Sequence, residues 1–577
     1  MDHITAPTLS KYRWNFLNHI DEQELSNFSG SINVPISIGR ILMNRGIKNF
    51  DDAKFFFRPS AEKMHDPFLM KDMEIAVERL IRAHEAKEGI MIYGDYDVDG
   101  TSGTALLYAF FRDIGANIHY YINDRIKEGY GVAKSGINWA HENGVKIIIS
   151  VDCGITAVDQ AEYCRSLGID FIICDHHTVG DKVPKAYAIL NPKRPDCEYP
   201  FKELCGCGVG FKLTQAISQR MNIHPNVAEK YLDFVAVAVA ADIVPLIDEN
   251  RVLTRMGLEI IQAQPRPGWI AMEKKTGLQL NKVNSSQIVF SIGPRINAVG
   301  RLGDAKRAVQ LMISQTIEEA MGFAEVLEEE NTNRRVIDED TFQDAIHLAE
   351  TYLKEHSGLS IVLHNEKWHP GVIGIVASRL VEKFYRPAII LSTIDGVAKG
   401  SARSINGFDV YEAIKAVDDC VIQFGGHKYA AGLSVKLDRL TELQDRFDEV
   451  VTRTLLPDLL TQEILIDTEL KLEEINQRFW VLLKQFQPHG PNNMRPVFYS
   501  RNVEVVGYPS IVGKGHLKFK VKQNGSTTYE VIGYNMEHLY NHVQPGNRGL
   551  EIIYCIEENQ WNGKSQIQLQ LKDAKLG

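Results

Sequence analysis

Short apolar runs alternate with amphipathic stretches between about residues 88 and 245. The runs GIMIYG, VKIIISVDCG and IDFIICDHH are rich in β-branched residues and predict buried strands. The stretches TSGTALLYAFFRDIG and TAVDQAEYCRSLG, which lie between them, have the character of helices. Strands that alternate with helices in this way predict an open α/β sheet.

The remaining chain shows three further patterns. The apolar stretch YLDFVAVAVAADIVPL predicts a buried helix that stops near Pro245. Residues 315–356 contain no proline and carry charges throughout, which predicts a long helix or helix pair acting as a strut between domains. A second α/β unit follows, and from about residue 462 the alternating segments GHLKFKVKQNG and QWNGKSQIQLQLK carry Asn-Gly turn signals and predict a small antiparallel barrel.

Composition, charge and cysteine spacing are those of an ordinary globular protein. The 577 residues are 44% hydrophobic and 24% charged, as is ordinary for a globular protein. The net charge of −10 argues against a protein that is basic all over, although it allows a local basic groove. Cys205 and Cys207 have a CxC spacing without the second pair of a zinc site, so the cysteines are interpreted as reduced. The sequence shows no secretory signal and no apolar run long enough for a membrane span, which predicts a cytoplasmic location.

Acidic and histidine residues follow the predicted strands and the buried helix. They are Asp95, Asp97, Asp99, Asp152, Asp175, His176, His177 and Asp242. An isolated pair of aspartates is usually a cap or turn former. Several carboxylates brought together cannot all stay ionised, and divalent cations resolve that conflict. Carboxylates with a neutral imidazole suit Mn²⁺ well and Mg²⁺ acceptably, and two ions bridged by one carboxylate would activate water beside a phosphoryl group.

Seven motifs carry a resemblance to a known family. GDYDVDGTSG, SVDCGI, CDHH and VAADIVPL, in that order, resemble the four motifs of the DHH phosphoesterase superfamily. SIGPRINAVGRLGDA, GSARSINGFDV and FGGHKYAAG resemble its RecJ branch, the single-strand-specific 5′ to 3′ DNA exonucleases. The resemblance runs from about residue 60 to the carboxyl terminus, and FQPHGPNNMRPVF at 486–498 is similar to the segment that enters the last domain.

The resemblance implies an α/β fold class with a parallel-sheet DHH catalytic domain, a second α/β domain and a carboxyl-terminal OB-fold barrel. The expected segments are an amino-terminal extension at 1–60, the catalytic domain at 61–314, a connecting helix at 315–356, the DHH-associated substrate-binding domain at 357–460 and the nucleic-acid-binding OB fold at 461–577.

The resemblance also implies a two-metal site. The implied ligands are Asp97, Asp99, Asp152, His176 and Asp242. Asp152 is the expected bridge between the two ions. Many superfamily members have a histidine where this chain has Tyr93, and Asp95 is a further ligand candidate that would fill this gap. His177 is expected to contact the scissile phosphate or to orient the site, and it joins the ligands in the implied catalytic set.

Three arginine-bearing, glycine-rich loops inside the motifs are predicted to bind phosphate, because guanidinium groups and loop amides suit it. Their candidate residues are Arg125, Arg295, Asn297, Arg301, Ser401, Arg403 and Ser404. His427 resembles the family's substrate-binding loop. Lys518, Lys520 and Lys522 share one face of a predicted strand, which is either an ordinary amphipathic strand or a track for single-stranded DNA.

The function that the resemblance implies is hydrolysis of single-stranded DNA from its 5′ end, releasing 5′-mononucleotides, in DNA repair and recombination. Expected partners are single-stranded DNA, the single-stranded-DNA-binding protein and a RecQ-type helicase, with no membrane. Two alternatives stay open, a small-substrate DHH phosphoesterase and a non-catalytic replication scaffold. The barrel and Tyr93 count against the first, and the intact carboxylates count against the second.

Overall fold

A computed structural model describes residues 12–561 and 564–576 and divides the chain into two compact units. The parallel-sheet unit comprises Lys54–Arg334 and Gln485–Met494. The composite unit comprises the segment up to Ala53 together with Arg335–Lys484 and the segment from Arg495 onward. Among the described residues, none of the helices combines the length and the apolar character needed to cross a membrane.

The described chain begins with one strand and three helices, β1 (Arg13–Phe16), α1 (Glu22–Ser31), α2 (Ile36–Asn44) and α3 (Phe50–Phe57). The following region alternates strands and helices, in the order α4 (Met73–Glu85), β2 (Gly89–Gly94), α5 (Val98–Asp113), β3 (Ile118–Ile122), α6 (Lys134–Glu142), β4 (Val145–Val151), α7 (Val158–Ser166), β5 (Asp170–Cys174) and β6 (Ala188–Leu190). Helices then predominate, with α8 (Gly206–Arg220), α9 (Asn226–Glu229), α10 (Leu232–Ala241), α11 (Asp248–Ala263), α12 (Pro267–Thr276), α13 (Ser285–Gln287), a π-helical turn (Ile288–Ile292), α14 (Gly293–Leu302) and α15 (Lys306–Ile313). The strands predicted from the apolar runs are confirmed as β2, β4 and β5.

The sheet of this unit is parallel throughout, with strand order β3-β2-β4-β5-β6. Ile90 and Ile92 of β2 pack into one hydrophobic cluster, whereas Met91 and Tyr93 pack into a second. Both faces of the sheet are therefore covered, which is why the strands appear in the sequence as continuous apolar runs. The chain leaves β2 toward β3 and returns on the other side of β2 to β4, so the carboxyl ends of β2 and β4 border a crevice of the kind in which open α/β sheets bind ligands.

Helix α10 is the buried helix that the sequence predicts, and it ends at Ala241, before Pro245. The predicted strut is a single helix, α16 (Ile317–Glu355), which begins in the parallel-sheet unit and ends in the composite unit.

The composite unit holds two larger sheets. Its elements after α16 are β7 (Ile361–His364), α17 (Ile373–Phe384), β8 (Ala388–Ile394), β9 (Val397–Arg403), α18 (Val410–Lys415), β10 (Gln423–His427), β11 (Ala430–Lys436) and α19 (Leu440–Thr454), followed by β12 (Glu463–Ile466), β13 (Thr468–Glu469), α20 (Gln477–Lys484), β14 (Phe498–Val505), β15 (Ser510–Val512), β16 (His516–Lys522), β17 (Tyr529–Gly533), β18 (Leu550–Trp561) and β19 (Lys564–Leu576). The first sheet has the order β10-β11-β9-β8-β7. The amino-terminal β1 pairs in parallel with β12.

The second sheet is the predicted barrel, with the order β13-β14-β18-β19-β17-β16-β15 and a further β14–β16 pairing. The prediction of an antiparallel barrel is only partly right, because β13–β14 and β17–β19 pair in parallel. Asn524 and Gly525 after β16 have φ values of 43° and 85°, which fits the predicted turn. The second predicted turn, at Asn562–Gly563, lies outside the described residues.

Candidate active site

Acidic and histidine side chains gather beyond the carboxyl ends of β2, β4 and β5 and the end of α10. They are the residues that the sequence singles out, Asp95, Asp97, Asp99, Asp152, Asp175, His176, His177 and Asp242. Because β2 and β4 are neighbours at the point where the strand order reverses, their following loops share one crevice.

Two of the three carboxylates that follow β2 are oriented by backbone amides. Asp97 caps α5, its Oδ1 accepting hydrogen bonds from the N–H groups of Asp99 (2.9 Å) and Gly100 (3.1 Å). Asp99 accepts from the N–H groups of Gly206 (2.6 Å) and Cys207 (2.8 Å) at the start of α8. A side chain at Gly206 would begin 2.6 Å from the Cβ of Asp152, so only glycine allows this approach.

His176 faces several carboxylates with one ring nitrogen. Its Nε2 lies 3.1 Å from Asp152 Oδ1, 3.7 Å from Asp99 Oδ2 and 3.6 Å from Asp242 Oδ2. Asp152 adopts a left-handed backbone conformation, φ 62°, and its N–H donates to the Cys174 carbonyl (3.0 Å). The loops after β4 and β5 are thereby tied together at the site.

Asp175 acts as an orienting group inside the CDHH turn. Its Oδ1 accepts from the N–H of His176 (2.7 Å) and lies 2.8 Å from His177 Nδ1. Its Oδ2 accepts from the N–H of Ile155 (2.8 Å). These contacts engage both oxygens of Asp175 and fix the positions of the two histidines that follow it.

The six ligand candidates form two groups. The groups are adjacent, because Asp152 Oδ1 of one lies 3.1 Å from His176 Nε2 of the other. Ligand atoms lie within 4.8 Å of one another in the group Asp95, Asp97 and Asp152, and again in the group Asp99, His176 and Asp242. Asp95 Oδ1 and Asp242 Oδ2 are buried without a hydrogen-bond partner in the part of the chain that the structure describes. Because an unsatisfied buried oxygen is costly, the residues fit two divalent cations that would satisfy these atoms.

The carboxyl groups of the cluster have raised pKa values, because they are buried close to one another. Burial and the nearby Asp97 raise the pKa of Asp99 to about 6. Burial and neighbouring carboxylates also raise the pKa values of Asp95, Asp152 and Asp242 well above the ordinary range. A bound cation would favour the ionised form of all four carboxyls, because its charge offsets their mutual repulsion.

The pKa values of the two histidines shift in opposite directions. Burial, with the charge of His177, lowers the pKa of His176 to about 3, so His176 is neutral and suited to bind a cation. Burial alone would lower the pKa of His177, but the hydrogen bond and charge of Asp175 raise it. His177 is therefore suited to carry positive charge beside the cluster.

The loop after β3 brings Arg125 and Tyr130 to this region. Asn123 donates from Nδ2 to the carbonyls of Gly129 (2.6 Å) and Gly131 (3.2 Å) and so holds the loop. The Tyr130 hydroxyl donates to the Asp152 carbonyl (3.3 Å) and lies 3.2 Å from His177 Nδ1. Sequence reasoning missed Tyr130, although its position between two glycines was a visible signal. The Arg125 guanidinium lies 5.0 Å from the centre of the Tyr96 ring.

Helix α14 carries three predicted phosphate-binding residues. Asn297 accepts a hydrogen bond from the N–H of Val98 (3.2 Å), between the ligand candidates of the first loop, so it supports that loop. Arg295 pairs with the Glu328 carboxylate and donates to the Ser291 carbonyl (2.7 Å), so binding DNA would require it to exchange these partners. Arg301 lies near the end of α14 and is half-buried.

A second candidate group lies within the composite unit. The Arg403 guanidinium donates to Ser401 Oγ (2.9 Å), and a Cβ at Gly374, in the first turn of α17, would lie 3.0 Å from that Oγ. His427 is exposed at the end of β10 and pairs with Ala430 of β11. Ala430 pairs in turn with Arg403 of β9. Ser404 Oγ instead donates to the Phe408 carbonyl (2.9 Å), so Ser404 serves its own loop.

The three lysines of β16 share the outward face, while Leu517, Phe519 and Val521 are buried on the other. Ion pairs link Lys518 to Glu530 (3.0 Å) and Lys522 to Glu504 (3.3 Å). The lysine face is therefore partly neutralised by its own barrel.

Comparisons with known proteins agree with this architecture. Family models match in three places, the DHH family N-terminal domain at 89–239, the DHHA1 domain at 357–453 and the RecJ OB domain at 466–573. A DHH sheet bearing this carboxylate and histidine cluster, followed by a DHHA1 domain, defines the class as the DHH family.

Known relatives identify the branch of the DHH family to which this chain belongs. The single-stranded-DNA-specific exonuclease RecJ of Bacillus subtilis strain 168 is 35% identical over 98% of this chain and 71% of its own length. That of Escherichia coli strain K12 is 34% identical over 93% of this chain and 95% of its own. The crystal structure of RecJ in complex with Mn²⁺ from Thermus thermophilus superposes with a TM-score of 0.84 at 26% identity, covering 98% of this chain and 80% of that one. The chain belongs to the RecJ family, and the predicted family and fold class are confirmed.

Proposed function

We propose that this protein is a metal-dependent exonuclease that degrades single-stranded DNA from its 5′ end and releases 5′-mononucleotides. The observation that carries the proposal is the pair of ligand groups that meet at Asp152 and His176 in the crevice of the sheet. Membership of the RecJ family supports the substrate, because the relatives are named as single-stranded-DNA-specific exonucleases.

Two cations of the Mn²⁺ or Mg²⁺ type suit this site. Asp95, Asp97 and Asp152 would hold one ion, and Asp99, His176 and Asp242 would hold the other. Asp152 lies next to the second group, because its Oδ1 is 3.1 Å from His176 Nε2. Such ions lower the pKa of bound water and neutralise charge on a phosphoryl group. RecJ of Thermus thermophilus has been solved with each of the two metals, which supports this choice.

The chain's own groups around the ligands have separate roles in this proposal. His177, held by Asp175, would donate a hydrogen bond from its ring to an oxygen of the scissile phosphate. Tyr130 would limit the movement of His177, because its hydroxyl reaches both that ring and the Asp152 carbonyl. Asn297 would keep the first ligand loop in place through the N–H of Val98.

Cationic groups outside the ligand cluster would bind the DNA backbone. Arg125 and Arg301 are proposed phosphate contacts in the parallel-sheet unit, and Arg295 would join them only by leaving Glu328. In the composite unit, Ser401, Arg403 and the start of α17 would hold the terminal 5′ phosphate, with His427 nearby. A monoester suits such a site because it carries more charge than a backbone diester.

The proposed cellular role, partners and location rest on membership of the RecJ family. We propose a role in DNA repair and recombination, with the single-stranded-DNA-binding protein and a RecQ-type helicase as partners and a cytoplasmic location. The five-segment domain division also stays a proposal.

Labelled oligonucleotides test the activity. A single strand labelled at its 5′ end should release labelled mononucleotide at once with Mn²⁺, whereas a 3′-labelled strand should shorten progressively. A blunt duplex of that strand with its complement should resist, and Asp152→Ala should be inactive on all three. Cleavage confined to dinucleotides would favour the small-substrate phosphoesterase, and tight binding without cleavage would favour the scaffold.

A further inference from the structure

Residues 485–494, called the strap below, lie in sequence between α20 and β14 but pack inside the parallel-sheet unit. Arg251 of α11, a residue that is 3% exposed, holds them with its guanidinium group. It donates, over distances of 3.0–3.3 Å, to the backbone carbonyls of Phe56, Gln485, Phe486, Gln487 and Pro488. A buried cation bound to carbonyls in this way fixes the course of the strap.

The strap is also braced from within. Asn493 is 1% exposed and donates from Nδ2 to the carbonyls of Phe486 and Pro488, both at 2.8 Å. Ser285 Oγ donates to the carbonyl of His489 (2.6 Å), which ties the strap to α13.

The strap contacts the loop that follows the ligand candidate Asp242. The Pro491 carbonyl accepts a hydrogen bond from the N–H of Leu246 (2.7 Å). A Cβ at Gly490 would lie 3.2 Å from the Cβ of Leu246, so the strap backbone lies directly against this residue. Only residues 243–245 separate that contact from Asp242.

The loop itself is strained. Ile243 has φ 60°, a conformation that a β-branched residue adopts only at a cost of about 1–3 kcal/mol. Such a conformation persists where the surroundings enforce it. Leu246 is held by the strap, and Asn250 Nδ2 donates to the Pro245 carbonyl (3.0 Å). The strap therefore supplies part of the restraint on the turn that presents Asp242.

We propose that the strap is a positioning element for the metal centre, and that Asn493 and Ser285 are positioning residues which act on Asp242 through Leu246. The proposal rests on Asp242 being a metal ligand, as in the proposed function. A loosened strap would let the turn at Ile243 relax, and the Asp242 carboxylate would leave its place beside His176.

A loosened strap should weaken one of the two cation sites more than the other. The cation held by Asp99, His176 and Asp242 should bind more weakly, by about tenfold or more, as is usual when a group that supports a ligand is removed. The cation held by Asp95, Asp97 and Asp152 should be little affected. Turnover should fall at low Mn²⁺ and recover at high Mn²⁺, while KM for single-stranded DNA stays near that of the wild type.

The test uses the full chain and the variants Asn493→Ala and Ser285→Ala. Arg255→Ala is the matched control, because Arg255 lies one turn along α11 from Arg251 and pairs with Glu259 (2.7 Å) at the surface. Free Mn²⁺ is followed by electron paramagnetic resonance during titration, which reports the affinity of each site without reference to activity. Circular dichroism checks that every variant is folded.

The expected result is one weakened Mn²⁺ site in both strap variants, none in the control, and rescue of turnover by excess Mn²⁺. Strap variants that are folded and bind both ions like the wild type would overturn the proposal. If Asn493→Ala does not fold, Ser285→Ala decides alone. A wild-type protein that binds no Mn²⁺ would refute the metal centre itself, and with it both this proposal and the proposed function.

Discussion

The lysine face of β16 gives a quantitative prediction about how the barrel holds DNA. Lys518 and Lys522 lie 3.0 Å and 3.3 Å from the carboxylates of Glu530 and Glu504. Lys520 lies between them on the same face and is exposed. A lysine that leaves its own glutamate for a phosphate gains less than one that faces solvent, so the three residues should contribute unequally.

The magnitude follows from counterion release. Each phosphate contact to a single strand contributes about 0.7 to the slope of log affinity against log salt. Between 50 and 200 mM salt, one contact is then worth about 2.6-fold in affinity and three contacts about 18-fold. Because two of the lysines are ion-paired, Lys520→Ala should lower the slope by about 0.7, and the double variant Lys518→Ala/Lys522→Ala by less than about 1.4.

A substitution of the glutamate instead of the lysine separates the effect of the ion pair from the effect of the lysine's position. Glu530→Gln removes the charge that holds Lys518, while its amide oxygen can still accept the hydrogen bond that Gln568 now donates to Glu530 (2.6 Å). This variant should bind single strands more tightly at low salt and steepen the slope by up to about 0.7.

Fluorescence anisotropy of a labelled oligothymidylate, measured across a salt series in the inactive Asp152→Ala background, provides the slopes. Lys415→Ala, an exposed lysine of α18, is the control and should change nothing. In the active protein, the lysine variants should shorten processive runs on long strands and leave rates on very short oligonucleotides almost unchanged. Equal slopes for all variants, or weaker binding by Glu530→Gln, would show that this face does not carry the DNA.

Further predictions concern the metal centre and the 5′ end. Asp152→Ala should leave a folded protein whose activity is lower by several orders of magnitude, and near wild-type degradation with Mn²⁺ would refute the bridging role. Asp99 has a pKa of about 6 and must ionise to bind a cation, whereas His176, with a pKa of about 3, is already neutral. Mn²⁺ affinity in a resonance titration should therefore fall about tenfold or more from pH 8 to pH 5, and a flat profile would contradict the assignment. Arg403→Ala should narrow the preference for 5′-phosphorylated over 5′-hydroxyl strands, and an unchanged ratio of rates would exclude it from that site.

The strands and the ligand candidates could be predicted from the sequence because both are marked by local patterns. The run GIMIYG matches β2 residue for residue, since both faces of that strand are buried and every position is apolar. The ligand candidates stand directly after such strands or after the buried helix α10, and the order of the sheet brings these ends together. The ends of these strands and of α10 therefore mark the candidate ligands in the sequence.

Side-chain partners could not be predicted in this way. Arg295 and Asn297 belong to the same motif, yet one is engaged by Glu328 and the other by the backbone of Val98. The lysine face has the predicted alternation, but its pairing with Glu504 and Glu530 depends on the register between strands. The parallel pairs in the barrel likewise depend on long-range topology, which turn signals do not specify.

The strap marks the limit of such prediction most clearly. Its contacts with Arg251 and Leu246 are made by backbone carbonyls, which every residue possesses, and they join positions more than 200 residues apart. A metal ligand must be one of a few residue types and is visible in a sequence for that reason. A group that positions the ligand through its backbone has no such requirement, so the supports of an active site are found only once the chain is folded.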